Sequence, residues 1–513
     1  MNIDKKTQKY DRQLRLWQAS GQAALENSRV CLINGTATGC EVLKDLVLPG
    51  IGSFTVVDGK EVDCADAGIS FFLDGDRIGT NRAQAVTELL QELNEDVRGD
   101  YLAEDPISLI ENRIDYFLQF TIVIAVGVSE KPLLKLSEAL WNEKIPLFIV
   151  RTIGFVGYFR IMIPEHTVVE THPENIIDLR LDVPFPALEQ YVKPFDFDSM
   201  DNMDHGHIPY VVILLKYLDQ WKKDHDGKLP STSAEKKQFK QLIESGRRNA
   251  DEENFNEALA NVWKAFAPTK VTSQVQEIFN DPECESITTN SSSFWILTRA
   301  IRDFVTNEGQ GLLPLAGTVP DMKADTSTYV TLQTVYRQKA KTDIAAVRSH
   351  VDKILSSIGR TSDFIHDDEI TSFCKHAAFI QVIRYRSLKE EYISDPKKAD
   401  IDRWLQDPQD NIVHYVLIRA VDKFYEAHNH YPGDSEEDTE EAKSDFESLK
   451  TYVNVLLSDW QITNIPDHLD DYIHEMCRAG GSELPNMASL LGGLVSQEVI
   501  KLVTRQYIPI NNT

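Results

Sequence analysis

The sequence predicts an α/β protein with a mostly parallel central sheet and a large, mainly helical insertion. Near the beginning of the chain, apolar runs of strand length alternate with helical patterns, which is typical of a parallel sheet covered on both faces. The first apolar run, residues 30–33, leads through a glycine-containing turn into a helix, as in a Rossmann-like nucleotide-binding loop. The sequence from about Asp178 to Tyr472 reads as mostly helical and predicts the insertion.

Each predicted strand is a short apolar run, and the helices between the strands repeat apolar side chains at three- and four-residue spacing. A further run at 157–163 is predicted as an added strand. In chain order the elements are strand 30–33, helix 40–46, strand 53–57, helix 81–93, strand 120–126, helix 133–141 and strand 146–150.

An apolar helix rich in small residues is predicted near the end of the chain, at 486–503. Small residues allow close backbone packing, so we expect this helix to return to the first sheet. The predicted domains are therefore the first part of a Rossmann-like domain at 1–166, a helical insertion at 167–482 and a return at 483–513. The helices expected after residue 178 are 208–222, 234–245, 252–266, 292–307, 329–356, 369–392, 411–428 and 444–457.

The nucleotide-binding loop departs from the working motif at two of its three glycine positions. In that motif the first glycine makes the tight turn and the second lets the backbone approach the phosphates. Asn34 and Thr36 hold these two places, and Gly39 keeps the third. Because the threonine side chain would fill the space that a phosphate needs, the loop keeps the signal for the fold while its signal for nucleotide chemistry is damaged.

Composition narrows the classes of partner. The 513 residues include 80 acidic and 53 basic side chains, for a net charge of −27, which disfavours nucleic acid and anionic membranes as partners. No signal-peptide pattern and no run of transmembrane length is expected. The cysteines form no C-x-x-C pair, which argues against a structural zinc site or a disulfide framework and favours the cytoplasm or nucleus. They are Cys31, Cys40, Cys64, Cys284, Cys374 and Cys477.

Several motifs resemble those of the ubiquitin-activating-type enzymes, which include the bacterial sulfur-carrier adenylyltransferases. Residues 10–17, Tyr-Asp-Arg-Gln-Leu-Arg-Leu-Trp, followed by the unit at 30–46, resemble the beginning of these enzymes. The helix with Gly492 and Gly493, continued by Gln-Glu-Val-Ile-Lys at 497–501, is similar to their late helix. The resemblance implies an adenylation fold.

One branch of this family fits the whole chain. Residues 313–322, Leu-Pro-Leu-Ala-Gly-Thr-Val-Pro-Asp-Met, and residues 329–341 resemble the regulatory, catalytically incomplete subunits of neddylation-activating enzymes. The resemblance implies a heterodimer with a catalytic subunit, which would hold ATP and magnesium. The pair would adenylate the C-terminal glycine of the Nedd/Rub ubiquitin-like modifier, form a thioester and pass the modifier to a conjugating enzyme. This chain would bind no cofactor or metal and would work in the cytoplasm and nucleus.

The groups that an active member of the family needs at the nucleotide are mostly replaced here. The ribose carboxylate is present as Asp58, but Lys60 stands in place of the second carboxylate. Where active members have an Asn–Arg pair, this chain has the neutral stretch 67–70. Where they have a lysine at the beginning of the next helix, it has Arg82, and the aspartate that they have after the third strand is missing from 125–128. The resemblance therefore implies that this chain contains no complete catalytic site.

No cysteine is supported as a thioester nucleophile, because such a group needs an accessible thiol with a lowered pKa. Cys284 lies among carboxylates and Cys374 lies beside Phe373 in a predicted helix, so we expect both to be structural. Cys31 and Cys40 are expected to be packing residues beside the loop.

Arg12 is the one residue for which the resemblance implies a part in catalysis. In related chains an arginine at this place reaches across the subunit interface into the partner's ATP site, where a planar cation stabilises phosphate charge in trans. The alternative from the residues alone is that Arg12 and Arg15 pair with the plentiful surface carboxylates.

A helical segment after residue 328 offers candidates for contact with the catalytic subunit. Their three- and four-residue spacing ordinarily indicates a helix that faces the core, and the resemblance adds the interface as an alternative. The candidates are Tyr329, Leu332, Tyr336 and Lys339.

His205 and His207 are spaced like a pair of metal ligands, but the sequence places no third ligand, so a structural role is favoured. Two further functions stay open at this point. One is an enzyme that works alone, such as an oxidoreductase or methyltransferase with an unusual loop. The other is a scaffold that contributes nothing to the chemistry.

Overall fold

The chain divides into two compact units. The first joins Met1–His166 to Val382–Thr513, and the second is Thr167–Gln381. The computed structural model describes residues 5–173, 178–407, 409–434, 440–466 and 468–511.

The first unit contains one sheet with strands β1 (Arg29–Ile33), β2 (Ser53–Val57), β3 (Arg98–Leu102), β4 (Ile122–Val126), β5 (Leu147–Ile153) and β6 (Val156–Met162). Their order is β3-β2-β1-β4-β5-β6. All neighbouring strands are parallel except β5 and β6, which are antiparallel. The predicted α/β fold with a mostly parallel, Rossmann-like sheet is confirmed, and the run predicted at 157–163 forms β6.

Strand β3 had no counterpart in the prediction. Its sequence, Arg-Gly-Asp-Tyr-Leu, has no apolar run, and it forms the edge of the sheet with no residue fully buried. An edge strand of this kind does not need two apolar faces, so its sequence resembles a loop.

The helices that precede β5 are α1 (Lys5–Lys9), α2 (Asp11–Glu26), α3 (Ala37–Val47), α4 (Cys64–Ile69), α5 (Arg82–Gln91), α6 (Pro106–Asn112) and α7 (Glu130–Asn142), with 3₁₀ turns at Gly75–Arg77 and Ile114–Gln119. The helices predicted at 40–46, 81–93 and 133–141 are confirmed as α3, α5 and α7, whereas α1, α2, α4 and α6 were not predicted. A kink at Gln18, which has φ +60°, divides α2.

The second unit is mainly helical, and the chain enters and leaves it near two short strands, β7 (His166–Val168) and β8 (Gln381–Ile383). The helices are α8 (Pro186–Val192), α9 (Asn202–His205), α10 (Tyr210–Asp224), α11 (Ser233–Ser245), α12 (Glu253–Ala260), α13 (Trp263–Phe266), α14 (Ser273–Phe279), α15 (Pro282–Glu285), α16 (Ser293–Thr306), α17 (Thr326–Ser357) and α18 (Asp367–His376), with a 3₁₀ turn at Ser362–Phe364.

Two of the long helices predicted from the sequence are wrong in part. The segment 252–266 is broken at Asn261 into α12 and α13. The segment 369–392 is helical only to His376 and then forms β8 and a π-helical turn at Glu390–Ser394. The run Gln-Val-Ile in β8 carries two β-branched residues, which favour a strand over a helix.

The chain returns to the first unit at Val382, whereas the predicted return lay at 483. The reason is that residues 401–476 contribute to a core that also contains Ile153 of β5 and has Val156 and Tyr158 of β6 packed against it. Residues 382–482 therefore extend the sheet unit. Their helices are α19 (Lys398–Leu405), α20 (Ile412–His428), α21 (Glu440–Asp459), α22 (Leu469–Ala479) and, beyond them, α23 (Pro485–Thr504).

Helix α23 packs against α3 and the sheet. Its side chains Leu491, Val495, Val499 and Leu502 belong to the same core as β1 and β2. Among the described residues it is the one helix long and apolar enough to cross a membrane, whereas no run of that length was expected from the sequence. Its apolar face here lies against protein.

Gly492 gives α23 its close approach to α3. A Cβ at Gly492 would lie 2.6 Å from the Glu41 Cβ and 3.0 Å from the Glu41 carbonyl carbon. A Cβ at Gly493 would meet nothing nearer than an Asp45 side-chain oxygen at 3.8 Å. The two neighbouring glycines therefore form a matched pair for substitution.

We expect Gly492→Ala to lower the free energy of unfolding by about 1–3 kcal/mol, because the added methyl group overpacks the contact between the helices. Gly493→Ala should be neutral or stabilising by up to about 1 kcal/mol, as for alanine replacing glycine inside a helix. Denaturant unfolding of both variants measures the difference. Equal effects at the two positions would contradict the close packing.

Candidate functional site

A cleft lies at the carboxyl ends of the parallel strands. Its volume is about 760 Å³, and its lining includes the loop at Asn34 and Thr36, the end of β2 at Asp58, and Glu483. The strand order reverses between β1 and β4, and such a switch point is where open α/β sheets bind ligands. This cleft is therefore the place to examine for nucleotide chemistry.

The loop after β1 is stabilised by its own hydrogen bonds. Asn34 has φ +68°, a conformation that asparagine tolerates better than most residues, and its side chain donates to the Val126 carbonyl at 2.7 Å. Thr36 is the N-cap of α3, with its hydroxyl accepting from the Gly39 N–H at 3.4 Å. A Cβ at Gly39 would lie 2.8 Å from the Asn34 carbonyl oxygen. The close packing of the loop is therefore enough to require glycine at this third position, whether or not a phosphate binds.

Asp58, the expected ribose ligand, is fully buried and already has three donors. The Gly35 N–H donates to its Oδ2 at 2.8 Å and the Lys60 N–H to its Oδ1 at 2.9 Å. The Arg82 Nε donates to the same Oδ2 at 2.7 Å. Its carboxylate is thus committed to the chain itself.

Arg82 stands at the beginning of α5, where an active member of the family is expected to have a lysine, and it is buried between two carboxylates. Besides Asp58, its Nη1 contacts the Asp66 Oδ1 at 3.0 Å. Burial lowers the pKa of Arg82, but the charges of Asp58 and Asp66 outweigh it, and the net shift is upwards. The cation therefore stays charged and is not available to a phosphate.

Glu483, which belongs to none of the sequence motifs, occupies the N-terminus of α3. The Glu483 Oε2 accepts from the Thr38 N–H at 2.8 Å and from the Thr38 hydroxyl at 3.1 Å. Burial raises the pKa of Glu483, and the hydrogen bonds from Thr38 and Thr36 oppose that rise. Thr38 and Glu483 are 445 positions apart in the sequence, so no local sequence pattern predicts their contact.

A second buried ion pair forms another wall of the cleft. Arg151 of β5 pairs with Asp422 of α20, and its Nη2 also donates to the Val128 carbonyl at 2.5 Å. Lys60 contributes its backbone N–H to the cleft, and its side chain is exposed. In the described part of the chain, both buried arginines of this cleft, Arg82 and Arg151, are thus paired with carboxylates.

Arg12 lies on α2, outside the cleft and exposed. Arg15 forms a 2.9 Å ion pair with Asp11 one turn away, whereas Arg12 forms no ion pair with any residue whose side chain is described. Trp17 fixes the same helix, since its ring is buried and its Nε1 donates to the Gln22 Oε1 at 3.1 Å. The surface-pairing alternative thus describes Arg15, and Arg12 remains available to a partner.

The cysteines offer no activated thiol among the buried positions. Burial raises the pKa of Cys284 to about 11 and that of Cys374 to about 12. For Cys284 burial is the main cause, ahead of the neighbouring carboxylates that the sequence suggested. Burial also raises the pKa of Cys31 and Cys40 far above the ordinary range.

The four interface candidates on α17 separate into two groups. Leu332 and Tyr336 are fully buried in the core of the second unit, and the Tyr336 hydroxyl donates to the Leu179 carbonyl at 2.6 Å. The prediction that Leu332 and Tyr336 contact the catalytic subunit is wrong, because neither side chain is exposed on the surface of this chain. Tyr329 and Lys339 are partly exposed and stay candidates.

His205 is a structural residue. Its Nδ1 lies 2.8 Å from the Glu252 Oε1, and its ring stacks on Phe255. His207 contacts the Met203 carbonyl at 2.7 Å. Within the described residues no group of His, Cys, Asp and Glu side chains is arranged to hold a metal ion.

Comparison with known proteins gives matches along the whole chain. The family model ThiF matches residues 10–513. The chain is 48% identical over 517 residues to the NEDD8-activating enzyme E1 regulatory subunit of Danio rerio, covering 99% of this chain and 96% of that one. The Drosophila melanogaster protein of the same name is 40% identical, covering 100% and 95%, and that of Saccharomyces cerevisiae is 28% identical, covering 98% and 96%.

Similarity to solved structures is partial. Crystal structures of E. coli MccB match 33% of this chain and 52% of that one, with 17% identity and a TM-score of 0.28. The E. coli tRNA N6-threonylcarbamoyladenosine dehydratase in complex with ATP matches 34% of this chain and 70% of that one, with 18% identity and a TM-score of 0.27.

Proposed function

The chain belongs to the ThiF family and, within it, to the NEDD8-activating enzyme E1 regulatory subunits, and from this premise we propose that it is the non-catalytic half of a heterodimeric activating enzyme. The catalytic subunit would bind ATP and magnesium and would adenylate the C-terminus of the Nedd/Rub modifier. It would then form the thioester on its own cysteine and pass the modifier to a conjugating enzyme.

The state of the nucleotide cleft is the observation that carries this proposal. Catalysis at a triphosphate depends on positioned positive charge that the ligand can reach. In this cleft Arg82 is held by Asp58 and Asp66, and Arg151 is held by Asp422. A triphosphate that used these arginines would have to break buried ion pairs. The proposal therefore assigns the ATP site to the partner.

Arg12 is the contribution of this chain to the reaction in the proposal. It is exposed on a helix that Trp17 anchors to the core of the first unit. A guanidinium supplied from this helix can stabilise phosphate charge in the partner's site, because its planar set of donors matches the geometry of a phosphate. The heterodimer would then be catalytically complete only when both chains are present.

The test is ATP–pyrophosphate exchange with the Nedd/Rub modifier. We expect no exchange by this chain alone and robust exchange after co-expression with the catalytic subunit, because adenylate formation needs the partner's ATP site. Exchange by the isolated chain would instead support an enzyme that works alone.

A further inference from the structure

The carboxylate of Glu483 lies at the N-terminal end of α3, the first helix after β1. It takes hydrogen bonds from both the backbone N–H and the hydroxyl of Thr38, at 2.8 and 3.1 Å. The same hydroxyl lies 2.9 Å from the hydroxyl of Thr152 on β5. The carboxylate is thus held by donors rather than left at the surface of the cleft.

This end of α3 is where a Rossmann-like fold binds a phosphate. The helix N-terminus presents free N–H groups and the positive end of the helix dipole, which together attract an anion. A carboxylate supplies the same two things that a phosphate supplies there, negative charge and hydrogen-bond acceptors. The position of Glu483 therefore matches the chemistry that the loop has otherwise lost.

The backbone around Glu483 is fixed independently of its side chain. Glu483 forms a parallel β-bridge with Gly154, and the Gly154 N–H donates to the Ser482 carbonyl at 2.9 Å. Because the segment is bound to the turn between β5 and β6, the side chain is presented to α3 at little cost in conformational entropy.

We propose that Glu483 is an internal anionic ligand that occupies the former phosphate position at the N-terminus of α3. This inference rests on the proposed function, in which the chain itself binds no nucleotide, and it names the residue that takes the nucleotide's place. The chain thereby keeps α3 and the sheet stable without a cofactor, and it closes the position to phosphate.

Anion rescue of the full-length chain tests this assignment. Glu483→Ala should lower Tm by a few degrees in anion-poor buffer. Inorganic phosphate or acetate should then restore part of the loss, because either anion can enter the vacated position. The wild-type protein should show no such gain over chloride at equal ionic strength.

Glu498→Ala is the matched control. The Glu498 carboxylate also accepts from a backbone N–H, that of Ile510 at 2.8 Å, and pairs with Lys501, but it does not lie at a helix N-terminus. We expect its Tm to fall without recovery in phosphate or acetate. Equal recovery of both alanine variants, or recovery of neither, would overturn the proposal.

Glu483→Leu keeps the test decisive if the alanine variant does not unfold cooperatively. Leucine fills a similar volume but offers no acceptor, so the Thr38 N–H and hydroxyl lose their partner and Tm should fall. A leucine variant as stable as the wild type would overturn the inference. Exchange by the heterodimer is measured separately. Anion rescue without exchange would count against the proposed function alone, and exchange without anion rescue would count against the role of Glu483 alone.

Discussion

Replacing Arg12 by alanine is expected to slow ATP–pyrophosphate exchange by the heterodimer by about 10²- to 10³-fold, the loss typical of removing one donor to a developing charge. The reason is that Arg12 is exposed on α2 and forms no ion pair with a described side chain, so its charge is free for a partner's site. Size-exclusion chromatography should show an intact heterodimer, and Tm should stay within about 1 °C, since surface substitutions rarely alter stability.

Arg15→Ala is the control for this variant. Arg15 lies one turn away on the same helix and shares the charge and exposure of Arg12. It differs in that its guanidinium is already paired with Asp11, at 2.9 Å. Its loss should leave exchange nearly unchanged. An Arg12→Ala heterodimer with the wild-type exchange rate would reduce this chain to a scaffold.

Replacing Arg82 by methionine is expected to have the largest effect on stability. The substitution keeps the volume but leaves Asp58 fully buried without its 2.7 Å partner and also frees Asp66. Removing one partner of a buried ion pair costs about 3–5 kcal/mol, because an uncompensated charge remains in the interior. Denaturant unfolding of the isolated chain measures the change.

Two comparisons separate this effect from catalysis. Arg77→Met removes a surface pair with Glu88, at 2.7 Å, and should cost at most about 1 kcal/mol. The Arg82→Met heterodimer, at a temperature where it is folded, should exchange ATP and pyrophosphate at the wild-type rate. A loss of exchange by folded Arg82→Met complex would mean that Arg82 touches nucleotide after all.

The parts of the fold that were predictable are those where burial dictates sequence. Strands β1, β2, β4 and β5 lie inside the sheet, so most of their residues are apolar and buried, and their runs are visible without a structure. Strand β3 lies at the edge and needs no such run. The break at Asn261 and the strand at Gln381–Ile383 interrupt segments whose apolar spacing is helical, and that spacing alone does not show where a helix ends.

The candidate site was predictable only in what it lacks. Asn34, Thr36 and Lys60 stand in the sequence where a working site needs other residues, and the loop geometry agrees with a role in supporting α3. What replaces the lost groups was invisible. The partners of Thr38 and Arg151 lie on segments that return after more than two hundred residues, and only the folded chain brings them to the cleft.

The most direct measurement is the number of ATP molecules bound at equilibrium, with a non-hydrolysable analogue, by the isolated chain and by the heterodimer. The proposed division of labour predicts no site on the isolated chain and one site per heterodimer, because both buried arginines of this cleft are already paired and the proposal places the nucleotide on the partner. Saturable binding to the isolated chain, or two sites per heterodimer, would contradict it.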